Sequence, residues 1–285
     1  MNFLRRFFTY QNERFPFVVL IFTTYAVVSS SFTIVNGDFR WGKLAFIGFA
    51  TGLLYTFHMR LFDEFKDLEH DKRYYPGRPV SRGLLTLEEL RTLTLIVVAA
   101  EFLINLFAPL KALLFFGVAF LYSLLTRKEF FVRDWIREHF FVYNFTHYLQ
   151  TALIIVYLYV LAGSHLSLSN KTLWIHFIFT NLTLTLLEWA RKMRIRSEEN
   201  ESRDTYSARL GIRGSSIVFS LIFVSIFVLF YWLKMATGSA VLYASGALVL
   251  IVLSTLFYSI KTTKISSNLL QLSSLIYFVL LHILV

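Results

Sequence analysis

Residues 60–83 read RLFDEFKDLEHDKRYYPGRPVSRG and directly follow a long apolar segment. Asp63, Asp67 and Asp71 recur every four residues, a spacing that advances only about 40° around a helix at each step. A continuous helix would therefore place the three carboxylates on one face, with Glu64 beside them. Carboxylates so close together repel one another, and a hard cation such as Mg²⁺ relieves that repulsion. Because Mg²⁺ usually completes its shell with water and phosphate oxygens, this stretch predicts an anionic, phosphorylated substrate.

A solvated helix end is the other interpretation of this stretch. Basic side chains alternate with the acids and could neutralise them as weak surface pairs. These side chains are Lys66, His70, Lys72 and Arg73. The location at the end of an apolar segment, before the rigid Arg78-Pro79 corner, favours the binding interpretation.

The composition predicts an all-α, polytopic membrane protein. Of the 285 residues, 56% are hydrophobic and 18% aromatic, and the mean hydropathy is +0.59. The chain has no cysteine, which excludes disulfides, thiolate metal sites and a cysteine nucleophile. We expect one transmembrane domain over residues 1–285, with about nine membrane-spanning helices. The apolar segments cover residues 15–36, 43–62, 88–107, 109–126, 139–162, 172–190, 215–235, 240–260 and 268–285.

The distribution of basic residues predicts the orientation in the membrane. All but five of the 28 Lys and Arg residues lie in the N-terminal segment or in alternate loops. The five are Arg40, Lys43, Lys111, Lys171 and Lys234. This bias places the N-terminus and the charged loops in the cytoplasm and the C-terminus outside. It also explains the net charge of +10 without a nucleic acid partner, because the basic residues form no separable basic domain.

A second charged cluster covers residues 188–213. Glu188, Arg191 and Lys192 lie at helical spacing, so the acid could contribute to a phosphate site or only pair with its own neighbours. Flanking basic residues of a membrane span explain the cations equally well. Glu188 itself ends an apolar span, where an acid is costly, and this favours a functional role.

Further candidates for substrate binding lie in and after the fourth and fifth apolar segments. Arg127 and Lys128 could bind a diphosphate, because arginine offers a planar fork and lysine a compact charge, and Tyr122 precedes them. Ordinary flanking charge is the alternative. In the fifth segment Asn144 and His147 lie three residues apart on one helix face. They could line a pocket for a second substrate or bond to other helices.

Glu101 is a separate acid inside the third apolar segment. Placing a charge there costs about 3 kcal/mol on insertion scales. The side chain could be protonated and hydrogen-bonded, or it could mark a translocation path, and the sequence leaves both open.

These residues resemble the nine-helix membrane prenyltransferases of the UbiA superfamily. The first motif of that family runs Asn-Asp-x-x-Asp-x-x-x-Asp and is followed by Arg-Pro. The corresponding positions here are Asp63, Glu64, Asp67 and Asp71, and then Arg78 and Pro79. Both exchanges at the first two positions keep oxygen ligands. The likeness extends to residues 122–128. It also covers residues 205–211, which are similar to the family's Thr-x-x-x-x-x-Gly ending.

The resemblance implies a nine-helix bundle around a cavity that opens towards the membrane. It also implies Mg²⁺-dependent transfer of a polyprenyl group from an isoprenyl diphosphate to a hydrophobic or aromatic acceptor. The departing diphosphate would leave an allylic carbocation, which aromatic side chains shield and the acceptor traps.

The implied site residues follow from position in the motifs and from the candidates above. The implied metal ligands are Asp63, Glu64, Asp67 and Asp71. The implied catalytic residues are Asp67, Asp71 and Glu188. The implied substrate-binding residues are Arg78, Tyr122, Arg127, Lys128, Asn144, His147, Arg191 and Lys192.

The second motif departs from the family pattern. The family has Asp-x-x-x-Asp-like spacing there, whereas this chain has Glu188 followed by Arg191 and Lys192. The two cations could replace the charge of a second metal ion, or the substrate or reaction could differ. A terpene cyclase that uses the prenyl diphosphate alone, and a non-catalytic transporter or lipid-binding protein, are the alternative functions.

Overall fold

The structure is a computed structural model that describes residues 2–234 and 237–285. The described residues form α-helices and two short 3₁₀ turns, with no strand among them. The helices are α1 Phe3–Arg14, α2 Phe17–Asn36, α3 Lys43–Lys66, α4 Leu68–Tyr74, α5 Leu87–Asn105, α6 Leu110–Arg127, α7 Arg133–Glu138, α8 Phe140–Leu161, α9 Lys171–Arg191, α10 Tyr206–Lys234, α11 Gly238–Ile260 and α12 Lys264–Leu284. The all-α prediction is confirmed.

Each apolar segment predicted from the sequence coincides with one long helix. The seventh of these, α10, begins nine residues earlier than predicted because a short helix joins it across a kink at Gly211, where φ is +70°. Its predicted end at residue 235 lies outside the described residues. By length and composition, α2, α3, α6, α8, α10, α11 and α12 can each cross a membrane. Because α5 and α9 are not among them, the count of nine crossings stays a prediction.

The helices form two compact units. Unit 1 comprises the chain up to Val28 together with Arg40–Ser164, and in it α3 packs on α5 and α6 packs on α8. Unit 2 comprises Ser29–Phe39 and His165–Val285, and in it α9 packs on α10 and α12, while α11 packs on α10 and α12. The expectation of a single domain over residues 1–285 stays a prediction.

Local chemistry explains where several helices begin. Thr86 and Glu89 form a capping box at the start of α5, in which each side chain bonds the backbone N–H of the other residue. Thr263 and Ser266 do the same at the start of α12. Pro109 precedes α6, and residues 106–109 form the short connection from α5 to α6.

The helix that carries the acidic residues is not continuous, and in this the sequence-based prediction was wrong. Asp67 ends α3 and precedes α4, with φ −98° and ψ 8°. The backbone ladder nevertheless persists, because the N–H of Asp67 donates to Asp63 O and the N–H of Asp71 donates to Asp67 O. The interruption is confined to Asp67, and Arg14 still contacts both Glu64 before it and Asp71 after it.

A hydrophobic cluster fixes α1 against the rest of unit 1. Tyr10 and Phe15 pack with Phe57 and Leu61 of α3 and with Val97 of α5. The rings of Phe15 and Phe57 stack with centroids 5.1 Å apart. This packing brings the C-terminal end of α1 to the end of α3, where the acidic residues lie.

Candidate functional site

The acidic motif, defined as Asp63, Glu64, Asp67 and Asp71, lies where α3 passes into α4. Asp63 pairs with the buried Lys66, with Nζ 2.9 Å from Oδ1. Lys66 Nζ also lies 3.1 Å from His147 Nε2, and His147 Nδ1 lies 2.8 Å from the carbonyl oxygen of Tyr143. Because a carbonyl only accepts, Nδ1 carries the proton and Nε2 accepts from the lysine. The interaction of His147 therefore joins α8 to the acidic motif.

Arginines from three parts of unit 1 neutralise Glu64 and Asp71. Glu64 is buried and accepts from Arg14 Nε at 2.9 Å and from Arg60 Nη2 at 2.8 Å. Asp71 is also buried and pairs with Arg78 through Oδ1 and with Arg14 through Oδ2, the latter at 3.5 Å. Arg14 thus bridges two carboxylates of the motif from the end of α1.

Asp67 has a looser partner from the segment that follows α6. Arg137 Nη2 lies 3.2 Å from Asp67 Oδ1 and 3.1 Å from the carbonyl oxygen of Lys66. The Nε of the same guanidinium donates to Glu129 Oε1 at 2.6 Å. Arg137 is therefore shared between two carboxylates, and its contact with Glu129 is the shorter one.

The two carboxylates beyond the end of α3 differ in their proton affinity. Burial raises the pKa of Asp67 to about 6, an effect that the nearby cations Lys66 and Arg137 only partly oppose. Burial also acts to raise the pKa of Asp71, but hydrogen bonds from His70 and Arg78 outweigh it and hold that pKa below its usual value. Asp67 is therefore the carboxylate whose charge is less fully compensated.

The motif offers oxygen donors to a divalent cation without a preassembled cage. In the described part of the chain, no three His, Asp or Glu side chains lie close enough together to hold a metal ion. Mg²⁺ needs only one or two protein carboxylates when water and phosphate oxygens complete its shell. The donor chemistry of Asp67 and Asp71 therefore fits such an ion, and the set of four metal ligands stays a prediction.

A cleft of about 290 Å³ opens beside the motif in unit 1. Arg14 and Arg78 line it, and the Arg78 guanidinium lies 3.8 Å from the centre of the Tyr75 ring. The other lining residues are Glu13, Gly77 and Pro79. Two guanidinium groups in one cleft are suited to an anion such as phosphate.

The candidates in α6 and α8 have mixed surroundings. The Tyr122 hydroxyl donates to the carbonyl oxygen of Thr146 at 3.0 Å. The Arg127 guanidinium lies 4.6 Å from the centre of the Phe62 ring on α3, a cation–π contact that orients it. Lys128 is exposed. The buried Asn144 amide donates to the carbonyl oxygen of Phe140, so part of its hydrogen-bonding capacity is used within its own helix.

In unit 2, Glu188 of the second charged cluster pairs with cations at the end of its own helix. Glu188 accepts from Arg191 Nη2 at 2.6 Å and lies 3.2 Å from Lys192 Nζ. Burial lowers the pKa of Lys192, although Glu188 opposes that shift. The Trp189 ring stacks on Tyr206 with centroids 3.7 Å apart, which fixes the end of α9 against the start of α10.

The acids that follow in this cluster support the loop between α9 and α10. Glu199 accepts from the hydroxyls of Thr205 at 2.7 Å and Ser207 at 2.5 Å. Glu198 pairs with Lys264 at the start of α12. These contacts give Glu198 and Glu199 structural partners inside unit 2.

Glu101 has a buried partner. Its Oε1 lies 2.6 Å from His58 Nδ1, and His58 Nε2 lies 3.1 Å from Ser123 Oγ. All three side chains are fully buried, and the second carboxyl oxygen of Glu101 has no hydrogen-bond partner among the described residues. The sequence left open whether Glu101 is hydrogen-bonded or marks a translocation path. The contact with His58 agrees with the hydrogen-bonded interpretation.

Four cations of the site were missed by sequence reasoning as partners of the motif, namely Arg14, Arg60, Lys66 and Arg137. Only Arg60 carried a signal, because it lies four residues before Glu64 on the same helix. The sequence indicated Arg14 and Arg137 only as basic residues that flank membrane spans. It indicated Lys66 only as a surface neighbour of the acids. The spacing of Arg14 and Arg137 to the motif carries no signal, because both reach it from other helices. Lys66 sits within the motif, but its burial depends on the packing of α8 against it.

The fold and this site define a multi-pass helical membrane protein with an acidic motif at the end of one span. Residues 19–275 match the UbiA prenyltransferase family, so the chain belongs to that family of membrane prenyltransferases. No curated protein matches the chain.

Two solved structures share the fold. The apo structure of a UbiA homolog from Aeropyrum pernix K1 is 16% identical, with a TM-score of 0.67 over 92% of this chain and 94% of that chain. A digeranylgeranylglyceryl phosphate synthase is 14% identical, with a TM-score of 0.58 over 96% of this chain and 99% of that chain.

Proposed function

We propose that this protein transfers a polyprenyl group from an isoprenyl diphosphate to a hydrophobic or aromatic acceptor within the membrane, with Mg²⁺ as cofactor. The observation that carries the proposal is the acidic motif at the end of α3, with Arg14 and Arg78 beside it, in a chain of the UbiA family. Similarity to a digeranylgeranylglyceryl phosphate synthase supports a prenyl substrate. The basic residues of the charged loops support a cytoplasmic location for the motif and for the N-terminus.

In this proposal Asp67 and Asp71 hold the metal ion, with Asp63 and Glu64 as further oxygen donors. Bound Mg²⁺ supplies positive charge to the leaving diphosphate. The chain's own cations bind and orient the same group, because guanidinium and ammonium groups form charge-assisted hydrogen bonds with phosphate oxygens. These cations are Arg78, Arg127 and Lys128.

A carboxylate that held the metal ion would lose its present contact with a basic side chain. Arg78 would then be released from Asp71 next to the cleft that it lines, where it can donate to a phosphate. The carboxylate would then be neutralised by the metal ion, and the cation that the carboxylate releases would be neutralised by the anionic substrate. Such an exchange would allow a motif whose carboxylates already have basic partners to take part in diphosphate binding.

For the second motif we propose that Glu188 orients Arg191 and Lys192, and that the two cations supply charge where the family pattern has a second acid. The contacts from Glu188 to both side chains support this role. For the acceptor, we propose a pocket that includes Asn144, His147 and Tyr122. The contact of His147 with Lys66 would connect that pocket to the acidic motif.

The test is thermal unfolding of the full chain in detergent, with and without Mg²⁺ plus geranylgeranyl diphosphate. Ligand at a hundredfold excess over Kd should stabilise the wild type by about 2.7 kcal/mol. Asp67→Asn and Asp71→Asn should abolish that stabilisation. Glu69→Gln is the matched control, since this acid lies between them in the sequence and its side chain is 79% exposed. Stabilisation that both Asn variants retain would refute the metal site.

Product analysis with labelled farnesyl or geranylgeranyl diphosphate then separates transfer from cyclisation. Release of diphosphate without any acceptor, together with a cyclic hydrocarbon, would indicate a cyclase. Transfer requires that product forms only when the acceptor is present.

A non-catalytic membrane protein is the second candidate function. The observation that favours it is the charge compensation of the motif, in which every carboxylate already has a basic partner. This candidate predicts that Mg²⁺ with the diphosphate leaves thermal stability unchanged, so the same unfolding experiment decides between the two.

A further inference from the structure

The segment between α6 and α7 has an unusual backbone. Glu129, Phe130 and Phe131 are consecutive non-glycine residues with φ of 48°, 53° and 60°. Side chains disfavour this left-handed region, and such residues persist only where surrounding contacts hold them. A run of three therefore requires a specific anchor.

The anchor is the carboxylate of Glu129, which is 3% exposed. It accepts from Arg137 Nε at 2.6 Å and lies 3.2 Å from Arg133 Nε. One buried carboxylate thus holds two guanidinium groups, and the turn is what places it between them. Glu129, Arg133 and Arg137 have no assigned role in the proposed transfer reaction.

The Nη2 group of Arg137 contacts the end of α3. It donates to the carbonyl oxygen of Lys66 at 3.1 Å and lies 3.2 Å from Asp67 Oδ1. The last carbonyls of a helix lack partners within the helix, so the guanidinium also satisfies one of them. Arg137 therefore stands between Glu129, which it contacts closely, and Asp67, which it contacts loosely.

We propose that Glu129 is a positioning residue that retains Arg137 and thereby keeps Asp67 available for a divalent cation. The inference rests on the proposed function, because it concerns the same metal site. Its physical basis is competition between two carboxylates for one guanidinium. Removing the charge of Glu129 leaves Arg137 with Asp67 as its nearest carboxylate partner, and the tighter pair then opposes the metal.

The distances agree with a loose partner, since Arg137 Nη2 lies 3.2 Å from Asp67 Oδ1 while its Nε lies 2.6 Å from Glu129 Oε1. Asp71 shows the contrast, because Arg78 contacts it closely. Competition for Arg137 thus predicts different effects on metal affinity when Glu129 is neutralised and when Arg137 is neutralised. Neutralising Glu129 should weaken metal binding, whereas neutralising Arg137 should not.

The experiment measures Mn²⁺ binding to the full chain in detergent by electron paramagnetic resonance of the free ion, with Mn²⁺ as the spectroscopic probe for the Mg²⁺ site. Glu129→Gln should raise the Kd for Mn²⁺ on the order of tenfold, the effect of one strengthened charge-assisted contact. Arg137→Gln should leave the Kd unchanged or lower it. In the Arg137→Gln background, Glu129→Gln should have no further effect. Asp134→Asn is the matched control, because Asp134 is an exposed acid of α7, the helix that also carries Arg137.

A merely structural role of Glu129 has a different signature. In that case Glu129→Gln would weaken Mn²⁺ binding equally in the Arg137→Gln background, and the inference would be overturned. An unchanged Kd in Glu129→Gln would also overturn it. If Glu129→Gln does not fold, Arg137→Gln alone is decisive, since weaker binding in that variant contradicts the competition. Failure of the wild type itself to bind Mn²⁺ refutes the metal site of the proposed function and this inference with it, which distinguishes that failure from the others.

Discussion

Unit 1 and unit 2 use charge in opposite ways. In unit 1 the buried acids Glu64, Asp71 and Glu101 pair with cationic or imidazole groups that lie far away in the sequence. In unit 2 Glu188 pairs with residues three and four positions along its own helix. Local pairs form wherever the helix forms, whereas distant pairs form only when the unit packs correctly. These buried acids of unit 1 are therefore held by tertiary structure, whereas Glu188 in unit 2 is paired by helix geometry.

The buried histidines show a second difference, which lies in the charge of their partners. In unit 1 His58 joins a carboxylate on α5 to a hydroxyl on α6. In unit 2 His282 lies 2.7 Å from Ser30 Oγ and 2.9 Å from Thr183 Oγ1, both neutral groups. Loss of a hydroxyl partner leaves one polar group unsatisfied, while loss of an ionic partner leaves a buried charge. The comparison can be tested by removing partners in each unit.

The largest effect is expected for His58→Leu, which leaves the fully buried Glu101 without its partner. Breaking a buried pair from one side costs about 4 kcal/mol, so the free energy of unfolding should fall by that order. The measurement is equilibrium unfolding in detergent. The double variant His58→Leu/Glu101→Leu should be less destabilised than the single one, because it leaves no unpaired charge. The ionic interpretation would be contradicted if the double variant lost more free energy of unfolding than the two single variants lose together.

A somewhat smaller effect is expected for Glu64→Ala. This change removes the carboxylate that Arg14 and Arg60 share, and it should lower the free energy of unfolding by about 3 kcal/mol. Because Arg14 belongs to α1, the amides of α1 should also exchange with deuterium faster. Glu69→Ala, at an exposed acid of α4, should change stability by less than about 0.5 kcal/mol. Equal losses in both variants would remove the distinction between buried and exposed acids.

The smallest effect is expected for Glu188→Gln in unit 2. Its partner Arg191 is 54% exposed and lies on the same helix, so the loss should be roughly 0.5 to 1 kcal/mol. Added salt should reduce the difference from the wild type, since screening weakens exposed pairs. A loss as large as that of Glu64→Ala, or one that salt does not change, would show that Glu188 has partners beyond its own helix.

Sequence reasoning predicted the helices well, because hydropathy and helix ends are local properties. Each predicted apolar segment coincides with one long helix. It failed at Asp67, where the helix carrying the acids is interrupted. Periodicity alone cannot reveal such a break, since every residue from Asp63 to Asp71 is compatible with a helix.

The amino-acid sequence alone determined the helical membrane class of this protein and the positions of its acidic motif, because both depend on residue type and spacing along the chain. The tertiary structure alone decided which cation each carboxylate meets. Arg14 and Arg137 reach the motif from other helices, and Glu101 meets His58 across two helices. Such partners depend on how each helix is rotated and packed, and that rotation follows from the contacts of whole faces rather than from any local pattern.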